Sequence, residues 1–482
     1  MKKICYYALA AINYKNGNAT TCPTQSDYAV KFYNLKNDYK HMLPSHIYNN
    51  PGIIQIRKDL YEGKWPAGCS MCKVIEEESS GKSMRMDYPL AKEHDGKVYD
   101  QERFADEIHE VSAFKLYNQK THIVSPEGLR HIELRFSNAC NFSCLHCSTV
   151  YSSGWVAKLK KYEPDKEDWE HHLDQLTGVM HRKGPDDIGE ISLSIENVDA
   201  IIDDLCENFP YLEKIDFAGG EPLYQKQFFH ALRKLKKHPN ADNIHISFHT
   251  NFNANFNITE LSDYLSYFRE STIIISIDGG ANIYQYFRSG SWEKLVENID
   301  NFKEENDFTW LSSQCTTSVY QVMDIKNIIS SFLDLNVDST DGYIVQSPNY
   351  IDPAILMHNF SEDVIKDIDE TIHFLKGKVE SIKNSNFDPY DAQSDNIKSD
   401  YRNSLKPLLG HWDELDLYGK RVFSNLELLG TIKKWMLTHK SPYFDYKRFL
   451  VYLKKTDMIW KQNFNDFYPN YKFENKELHR VN

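Results

Sequence analysis

Long apolar runs are missing from this sequence, and their absence excludes several classes of protein. No segment approaches the roughly 20 apolar residues that a membrane-spanning helix requires. The first residues, Met1–Tyr7, are also too poor in apolar residues for a signal peptide, so we expect a cytoplasmic protein without a membrane partner. Thiols stay reduced in the cytosol, where clustered cysteines favour metal binding over disulfides.

An excess of basic charge is missing as well. The chain carries 56 Lys and Arg residues against 69 Asp and Glu residues, a net charge of −13. Broad binding to a nucleic-acid backbone depends on many basic contacts, so this charge disfavours nucleic acid as a partner. The 41% hydrophobic content of the 482 residues indicates a globular protein with two or three packed units.

Between residues 126 and 355, β-rich apolar runs alternate with stretches of helical spacing. The predicted strands are His131–Ser137, Lys214–Ala218, Ile244–Thr250, Thr272–Asp278, Trp310–Thr317 and Tyr343–Gln346. The predicted helices between them are Val198–Cys206, Gln227–Leu235, Trp292–Phe302 and Ile325–Leu333. Strands that are each followed by a helix predict right-handed crossovers and an α/β fold with a parallel sheet, either open or partly closed into a barrel.

The chain divides into three predicted regions. Residues 1–125 are less regular and rich in cysteine, residues 126–355 form the barrel, and residues 356–482 form a helical and aromatic C-terminal region. A charged segment at 155–190 interrupts the barrel pattern and is predicted to be an inserted lid or surface arm. A polar stretch at 383–400 is predicted to be a linker.

The most specific motif is a set of three cysteines, Cys140, Cys144 and Cys147, on a short loop after the first predicted barrel strand. Thiolates are soft ligands that suit iron–sulfur clusters, and three of them can hold three irons of a cubane. The fourth iron is then open to a small molecule. A structural zinc site needs four protein ligands, and His146 could supply the fourth, so zinc remains an alternative.

Other polar or flexible residues follow the neighbouring predicted strands. Gly219, Gly220 and Glu221 follow the second strand, while Asn251 and Asp278 lie at the ends of the third and fourth strands. The carboxyl ends of parallel strands meet at one edge of the sheet, where active sites gather. We therefore expect these residues and the cysteine loop to form one site.

A second set of cysteines precedes the predicted barrel and consists of Cys5, Cys22, Cys69 and Cys72. Two distant pairs of thiolates can close a tetrahedral zinc site or saturate a four-iron cluster. Gly17 fits a tight turn, so the first pair would lie at the ends of a hairpin. The run 56–69 reads as a helix ended by glycine and proline, which delivers the second pair on a loop.

Taken together, these motifs resemble those of the radical S-adenosylmethionine (SAM) enzymes. The spacing of Cys140, Cys144 and Cys147 is similar to the signature of that superfamily, and Phe217–Pro222 is similar to its Gly-Gly-Glu motif. Ile275–Gly279, followed by Arg288, is similar to the fourth-strand region of members that modify peptides. The resemblance implies a partial, TIM-like (β/α)6 barrel.

The resemblance also implies the cofactor chemistry. The cysteine triad would hold a [4Fe–4S] cluster whose open iron is chelated by the amino and carboxylate groups of SAM. An electron from a low-potential donor, such as flavodoxin or ferredoxin, would break a carbon–sulfur bond of SAM. The resulting 5′-deoxyadenosyl radical would abstract hydrogen from an unactivated C–H bond of the substrate.

Roles for the other motif residues follow from the same resemblance. Gly219, Gly220 and Glu221 would meet the methionine amino group, and Arg288 would pair with the SAM carboxylate. Ser276 or Asp278 would face the ribose or the methionine end. His146 occupies the position of an adenine-packing aromatic residue, and Asn251 resembles the third-strand asparagine of relatives, although a role in a turn fits it equally.

One cysteine outside both sets, Cys315, lies on the fifth predicted strand of the barrel. Alternate side chains of a barrel strand point inward. Some relatives use a thiol near this position to return a hydrogen atom to a substrate radical, so Cys315 is a candidate hydrogen donor. Its alternative is buried structural packing.

The four N-terminal cysteines resemble the first part of the auxiliary-cluster module called SPASM, or of its short form called twitch. Two features depart from that pattern: the module precedes the barrel here, and later cysteines for a second auxiliary cluster are missing. The resemblance implies one fully ligated auxiliary [4Fe–4S] cluster, with zinc as the alternative.

Three functions remain in view. The first is a radical SAM oxidoreductase or maturase that acts on a peptide or protein side chain, because relatives with an auxiliary module commonly have peptide substrates. The second is the same chemistry on a small molecule such as a sugar, a nucleotide or a cofactor precursor. The third is an iron–sulfur scaffold or electron-transfer protein, which leaves Gly219–Glu221 and Arg288 without a reason to accompany the cysteines.

Overall fold

The structure, a computed structural model, describes most of the chain in separate ranges. These are residues 3, 5–15, 18–22, 30–31, 43–78, 83, 85, 112–147, 149, 151–161, 192–281, 283–344, 351–378, 416–468, 470–474 and 477–481. Gly17, most of the predicted arm at 155–190 and the predicted linker at 383–400 lie outside these ranges.

Most strands belong to a single sheet. The strands are β1 (Ala11–Lys15), β2 (Asn18–Thr20), β3 (Val30–Lys31), β4 (His131–Leu134), β5 (Lys214–Phe217), β6 (His245–Thr250), β7 (Glu270–Ser276), β8 (Trp310–Thr317), β9 (Ser339–Ile344), β10 (Tyr471–Glu474) and β11 (Glu477–Arg480). The first nine form one nine-stranded sheet in the order β3-β2-β1-β4-β5-β6-β7-β8-β9. The neighbouring strands in the part of the sheet that runs β1-β4-β5-β6-β7-β8-β9 are all parallel. β2 pairs antiparallel with β1, and β3 pairs antiparallel with β2. β10 and β11 pair separately as an antiparallel hairpin.

Helices connect the parallel strands and build the C-terminal region. They are α1 (Tyr6–Ala10), α2 (Pro44–Tyr48), α3 (Pro51–Tyr61), α4 (Ser70–Glu78), α5 (Ser112–Lys115), α6 (Ser153–Lys161), α7 (Ile195–Asn208), α8 (Lys226–Leu235), α9 (Ile258–Leu265), α10 (Tyr284–Arg288), α11 (Trp292–Glu305), α12 (Val319–Val322), α13 (Ile325–Asp334), α14 (Ser361–Lys376), α15 (Leu417–Thr438) and α16 (Tyr443–Trp460). Short 3₁₀ turns include Ala67–Cys69 and Pro222–Tyr224.

The predicted α/β fold with a parallel sheet and a helical C-terminal region is confirmed. β4 to β9 occupy the six predicted strand regions, and α7, α8, α11 and α13 occupy the four predicted helix regions. β9 begins at Ser339, four residues before the predicted start at Tyr343. Its first residues, Ser339–Gly342, include no large apolar side chain, so their pairing with β8 leaves no hydrophobic signal in the sequence.

The sheet has two chemically different faces. The apolar side chains of Leu134, Phe217 and Phe248 lie in one row across β4, β5 and β6, and Phe217 packs 5.1 Å from Phe228 of α8. The opposite face, which we call the lumen face, carries polar residues. Its members on β4, β5, β6 and β7 include His131, Glu133, Lys214, Asp216, Ser247 and Thr272, which the strand register brings side by side. The helices therefore cover the apolar face, and the lumen face is left for a polar interior.

The N-terminal region extends the sheet of the predicted barrel. β1 pairs in parallel with β4, with Ala11 beside His131, and β2 turns back along β1. Cys5 precedes α1, which leads directly into β1, while Cys22 follows β2. Both cysteines therefore lie toward the edge of the sheet where the parallel strands begin.

The C-terminal helices pack against the last parallel strand and the cysteine loop. At Gly342 of β9, an added Cβ would clash with Leu428 of α15, so the helix approaches the strand closely. In α16 the hydroxyl of Tyr452 donates a hydrogen bond to the carbonyl oxygen of Leu145 in the cysteine loop. Of the helices in the described part of the chain, none combines the length and the apolar composition needed to span a bilayer.

Candidate functional site

The cysteine loop, residues 138–147, leaves the carboxyl end of β4 and is held by the segment that leads into α6. The indole Nε1 of Trp155 donates to the carbonyl oxygen of Cys144 at 2.8 Å, and the amide of Cys140 donates to Ser153 Oγ at 3.1 Å. The amide of Leu145 donates to the carbonyl oxygen of Phe287 at 2.9 Å. Side chains from distant segments therefore fix a loop that has no regular secondary structure of its own.

Two thiols of this loop, those of Cys140 and Cys144, have pKa values raised above the ordinary value. Burial raises the pKa of Cys144 to about 11, while nearby Arg288 opposes the shift. Burial also raises the pKa of Cys140, and the negative charges of Cys144, Glu221 and Cys147 raise it further. A cationic iron cluster would relieve this repulsion by binding the thiolates, so the donor set fits such a group.

The predicted Gly-Gly-Glu motif lies directly against the cysteine loop. Gly219 and Gly220 have positive φ angles of 83° and 59°, a region that favours glycine. A Cβ added at Gly220 would clash with the carbonyl oxygen of Ala139 and lie 2.9 Å from the carbonyl carbon of Asn138. The amide of Glu221 donates to Ala139 at 2.9 Å. The glycines thus permit contact between this turn and the loop backbone.

Gln225 joins the same two segments and was not identified from the sequence. Its buried side-chain Nε2 lies within hydrogen-bond distance of three carbonyl oxygens, those of Gly219 at 3.0 Å, Ala139 at 3.1 Å and Ser137 at 3.3 Å. These acceptors belong to the end of β4, the cysteine loop and the glycine turn. No sequence motif marks Gln225, because its partners are main-chain atoms distant in sequence.

Glu221 is almost fully buried and accepts three hydrogen bonds. Thr250 Oγ1 and the amide of Leu223 donate to Oε1 at 2.6 and 3.0 Å, while the amide of Asn251 donates to Oε2 at 2.6 Å. Burial raises the pKa of Glu221 to about 7, and these hydrogen bonds limit the shift. Its ionisation state therefore changes near neutral pH.

Asn251 connects the third barrel strand to the cysteine loop. Its side-chain Nδ2 donates to Asn141 Oδ1 at 2.8 Å, and its backbone contacts Glu221 as described above. The hydroxyl of Tyr284 lies 3.4 Å from its carbonyl oxygen. The structure therefore brings the ends of β5 and β6 together with the cysteine loop.

Asp278 and Arg288 form a buried ion pair beside the loop. Arg288 Nη1 donates to Asp278 Oδ2, and the amide of Thr316 donates to Asp278 Oδ1 at 2.5 Å. Arg288 Nε is buried and has no hydrogen-bond partner among the residues that the structure describes. The Cys144 thiol lies 3.7 Å from the Arg288 carbonyl oxygen. Burial acts to lower the pKa of Arg288, but Cys144 and Asp278 raise it above its ordinary value. A permanent cation thus lies next to the cysteine loop.

His146 contacts this ion pair rather than the cysteines. Its Nε2 lies 3.4 Å from Asp278 Oδ2, and its ring stacks on Phe287 with centroids 5.1 Å apart. Burial lowers the pKa of His146, with Asp278 opposing the shift. These contacts use the imidazole ring for aromatic stacking and for an electrostatic contact with a carboxylate.

Two predicted residues lie on opposite faces of the sheet. Ser276 is the last residue of β7, is half-buried and pairs in register with Gln314 of β8. Cys315 therefore points the other way, toward the face that the helices cover, where Gly342 is its neighbour. Cys315 is 1% exposed, and burial raises its pKa. This position accords with structural packing, the alternative to a hydrogen donor.

The four N-terminal cysteines line a single cavity. Its lining comprises Cys5, Tyr7, Ala8, Thr21, Cys22, Ile56, Leu60, Trp65, Gly68, Cys69, Cys72 and Arg85. Burial raises the pKa of Cys69 to about 12, and the thiolates of Cys22 and Cys72 add to this shift. Cys22 likewise raises the pKa of Cys5. Both predicted pairs, from the hairpin and from the loop after α3, therefore meet.

The donor set of this cavity is compatible with two kinds of metal group. Four thiolates can bind one tetrahedral zinc ion or saturate a four-iron cluster. The meeting of Cys5, Cys22, Cys69 and Cys72 around one cavity fits either group.

A polar interior lies between the two sets. On the lumen face His131 Nε2 lies 2.5 Å from Asp216 Oδ2, and Lys214 Nζ lies 3.2 Å from Asp216 Oδ1. Arg135 pairs with Glu133 at 2.6 Å. These charges neutralise one another within the sheet, so the interior is polar without a large excess of either sign.

Comparison with known families identifies the domain that carries the loop. Residues 134–312 match the sequence profile of the family described as "Radical SAM superfamily". This range contains the cysteine triad, the Gly-Gly-Glu turn, Asn251, Asp278 and Arg288. This part of the chain is therefore similar to the radical SAM domain.

Several individual proteins are also similar to the chain. It is 20% identical over 248 residues to the radical SAM cyclopropyl synthase TigE of Paramaledivibacter caminithermalis, which covers 50% of this chain and 47% of TigE. The chain thus spans about half the length of that relative.

Solved structures with a similar domain include anSMEcpe with bound AdoMet. The two chains are 16% identical, the match covers 52% of this chain and 60% of the anSMEcpe chain, and the TM-score is 0.34. Another is Streptococcus suis SuiB bound to S-adenosylmethionine. It is 14% identical, the match covers 63% of this chain and 60% of the SuiB chain, and the TM-score is 0.29.

Proposed function

We propose that this protein is a radical SAM enzyme in which Cys140, Cys144 and Cys147 hold a [4Fe–4S] cluster that binds SAM. The observation that carries the proposal is the meeting of three buried or half-buried thiols with Glu221 and Arg288. When bound and reduced by a low-potential donor, the cluster and SAM would supply a 5′-deoxyadenosyl radical for hydrogen abstraction from the substrate.

The residues around the loop have distinct tasks in this proposal. Glu221 in its ionised form attracts the ammonium group of SAM, because its Oε2 accepts only one hydrogen bond from the described protein atoms. Arg288 attracts the SAM carboxylate through its buried guanidinium group, whose Nε has no partner among the described residues. Asp278 holds that guanidinium in place.

The half-buried wall beside this pair is assigned to the adenine end of SAM. His146 stacks on Phe287, and its contact with Asp278 fixes the orientation of the imidazole ring. Asn251 has a different task, since its link to Asn141 keeps the end of β6 against the cysteine loop. These residues position a bound ligand and exclude water from it.

The N-terminal set is proposed to hold an auxiliary [4Fe–4S] cluster with four protein ligands. The support is the shared cavity of Cys5, Cys22, Cys69 and Cys72, whose four thiols can ligate all four irons of a cubane. All nine cysteines of the chain are free thiols in the structure, so none of these four is used in a disulfide.

The proposed substrate is a peptide or protein side chain. The support is the resemblance of the N-terminal cysteines to an auxiliary module that commonly accompanies peptide substrates. The polar lumen face lies between the two proposed clusters and offers paired charges, such as Glu133 and Arg135, to a peptide's own polar groups. A small-molecule substrate is the rival within the same chemistry.

Anaerobic reconstitution with reductant and SAM tests the central proposal. The wild-type protein should form 5′-deoxyadenosine, and a variant with Cys140, Cys144 and Cys147 all changed to Ala should form none. That variant should keep the spectrum of the N-terminal cluster. SAM cleavage by the triple variant would contradict the assignment.

Metal analysis of the same samples tests the auxiliary cluster. About eight irons per chain are expected if both sets hold cubanes, and about four in the triple variant. About four irons and one zinc in the wild type would instead assign zinc to the N-terminal set.

Deuterium transfer tests the substrate class. Peptides with deuterated side chains, including any short peptide that is encoded beside the gene, should be incubated with the reconstituted enzyme. Deuterium appearing in 5′-deoxyadenosine identifies a peptide as the hydrogen source. Transfer from a sugar or nucleotide, with none from any such peptide, would favour the small-molecule rival.

A further inference from the structure

The N-terminal cysteine cavity contains a buried charged group as well as the four thiols. Arg85 lines the cavity and is 8% exposed. Its Nη2 lies 2.5 Å from Glu76 Oε2 and its Nε lies 2.9 Å from Glu76 Oε1, so the two side chains form a bidentate ion pair. Glu76 is absent from the residues that line the cavity. The pair therefore turns its positive end toward the thiols.

This orientation determines which charge faces the thiols. Arg85 lines the cavity together with the four cysteines, whereas Glu76, which accepts two hydrogen bonds from the same guanidinium, is not among the lining residues. A cluster bound in the cavity would therefore lie nearer to the positive charge of the pair than to its negative charge.

A second group reinforces this arrangement. The hydroxyl of Ser83, which is fully buried, donates to Glu76 Oε1. Trp65 lies on the other side, with its ring centroid 5.9 Å from the Arg85 guanidinium and its Nε1 2.5 Å from Glu77 Oε1. The guanidinium is thus held between a carboxylate and an aromatic wall, and its orientation is fixed before any cluster binds.

A fixed cation next to an iron–sulfur cluster changes the energy of electron uptake. A cubane with four thiolate ligands is negatively charged, and one-electron reduction adds a further negative charge. A buried positive charge and hydrogen bonds to the sulfur atoms stabilise the reduced form, which raises the reduction potential. A carboxylate near the cluster acts in the reverse direction.

We propose that the Arg85–Glu76 pair sets the reduction potential of the N-terminal cluster, with Arg85 raising it and Glu76 limiting the increase. This inference rests on the auxiliary cluster of the proposed function. Arg85 acts through the cluster and is a positioning and tuning residue that touches no substrate. Its effect makes the N-terminal cluster easier to reduce than the same four thiolates would make it alone.

Potentiometric titration measures this effect without a substrate. The full-length protein with Cys140, Cys144 and Cys147 changed to Ala holds only the N-terminal cluster, so its reduction can be followed by electron paramagnetic resonance without overlap. In this background, Arg85→Gln should lower the midpoint potential. We expect at least a tenfold change in the ratio of reduced to oxidised cluster at a fixed potential, which is about 59 mV for a one-electron couple.

Two further variants separate charge from general disruption. Glu76→Gln removes the negative end of the pair and should raise the potential, in the direction opposite to Arg85→Gln. Arg85→Lys keeps the charge and should restore most of the wild-type value. Lys64→Gln is the matched control, because it removes an exposed cation from an ion pair with Glu62, and it should leave the potential unchanged.

The outcomes distinguish this inference from the proposal beneath it. Shifts of the same sign for Arg85→Gln and Glu76→Gln, or shifts no larger than that of Lys64→Gln, would overturn the tuning role while the auxiliary cluster stands. Zinc at this site and no redox transition would overturn both. If Arg85→Gln fails to bind iron, the raised potential of Glu76→Gln and the restored potential of Arg85→Lys still decide the question.

Discussion

The ring of Tyr7 lies 6.0 Å from the imidazole ring of His131, and this contact joins the N-terminal cysteine cavity to the barrel. Tyr7 lines the cavity, while His131 begins β4 and hydrogen-bonds Asp216 on the lumen face. The N-terminal cysteines therefore lie near the start of the parallel strands, and the Cys140 loop lies at their carboxyl end. The polar interior separates the two sites.

This connection predicts that the N-terminal metal site stabilises the barrel edge. Changing Cys69 and Cys72 together to Ser should remove the N-terminal cluster and lower the melting temperature of the anaerobic protein. Each kcal/mol lost corresponds to about 2–4 °C for a domain of this size. SAM should still perturb the spectrum of the remaining cluster, because its ligands are untouched.

Calorimetry with a control variant checks this stabilisation. Cys206→Ser changes a half-buried cysteine of α7 that belongs to neither set, and it should leave the iron content unchanged. An unaltered melting temperature after loss of the N-terminal cluster would show that the site adds no stability to the fold.

A second prediction concerns the close contact at Gly220. Gly220→Ala introduces a Cβ that meets the carbonyl oxygen of Ala139, at a residue whose φ is 59°. Left-handed backbone strain and the clash should together cost about 1–3 kcal/mol and displace the cysteine loop. Iron content at the triad and SAM cleavage should therefore both fall.

Gly377→Ala is the matched substitution for this test. Gly377 ends α14, and an added Cβ would lie 3.4 Å from the nearest atom, which is ordinary contact. Its variant should keep full iron content and stability. Equal effects of the two substitutions would show that the backbone contact at Gly220 does not govern cluster binding.

The features that could be predicted from the sequence are those that local residue patterns encode. Hydrophobic periodicity located β4 to β8, because their buried alternate residues pack on helices, and the cysteine and glycine spacing located the loop and its neighbouring turn. The pairing of β1 with β4 joins residues about 120 positions apart, and no local pattern encodes it. The start of β9 was missed because α15, rather than its own apolar residues, secures it.

The site shows the same division between local and distant information. The sequence analysis predicted Arg288 and Asp278 separately as residues that face SAM, and the structure shows that they form an ion pair with each other. The anchors of the cysteine loop, Trp155 and Tyr452, act on main-chain carbonyl oxygens and carry no motif. Contacts of this kind depend on the assembled fold, so sequence spacing alone does not reveal them.

Gln225 provides a third prediction because it connects three segments at the site. Gln225→Ala should leave the carbonyl oxygens of Gly219, Ala139 and Ser137 without this donor. Loss of a buried donor typically costs about 1–3 kcal/mol, so stability and iron occupancy at the triad should decrease. Chemical unfolding and iron analysis measure both quantities.

The control for this substitution lies on a nearby helix. Gln285→Ala changes an exposed glutamine of α10, and we expect it to alter stability by no more than about 0.5 kcal/mol. A loss with Gln225→Ala no greater than this would mean that the three carbonyl contacts contribute little.

The final prediction concerns the pH dependence of SAM binding. Glu221 has a pKa raised to about 7 by burial, so its carboxyl group is mostly protonated below that pH and mostly ionised above it. Only the ionised form attracts the SAM ammonium group, and the apparent dissociation constant increases as the ionised fraction falls. Affinity should therefore be about tenfold weaker at pH 6 than at pH 8 on this basis. Spectroscopic titration of the reduced cluster with SAM at several pH values measures the change.

Glu221→Gln keeps the shape of the side chain but removes its titration, so the variant should bind SAM more weakly at pH 8 and lose this part of the pH dependence. Parallel pH profiles for the wild type and the variant would show that Glu221 does not bind the ammonium group.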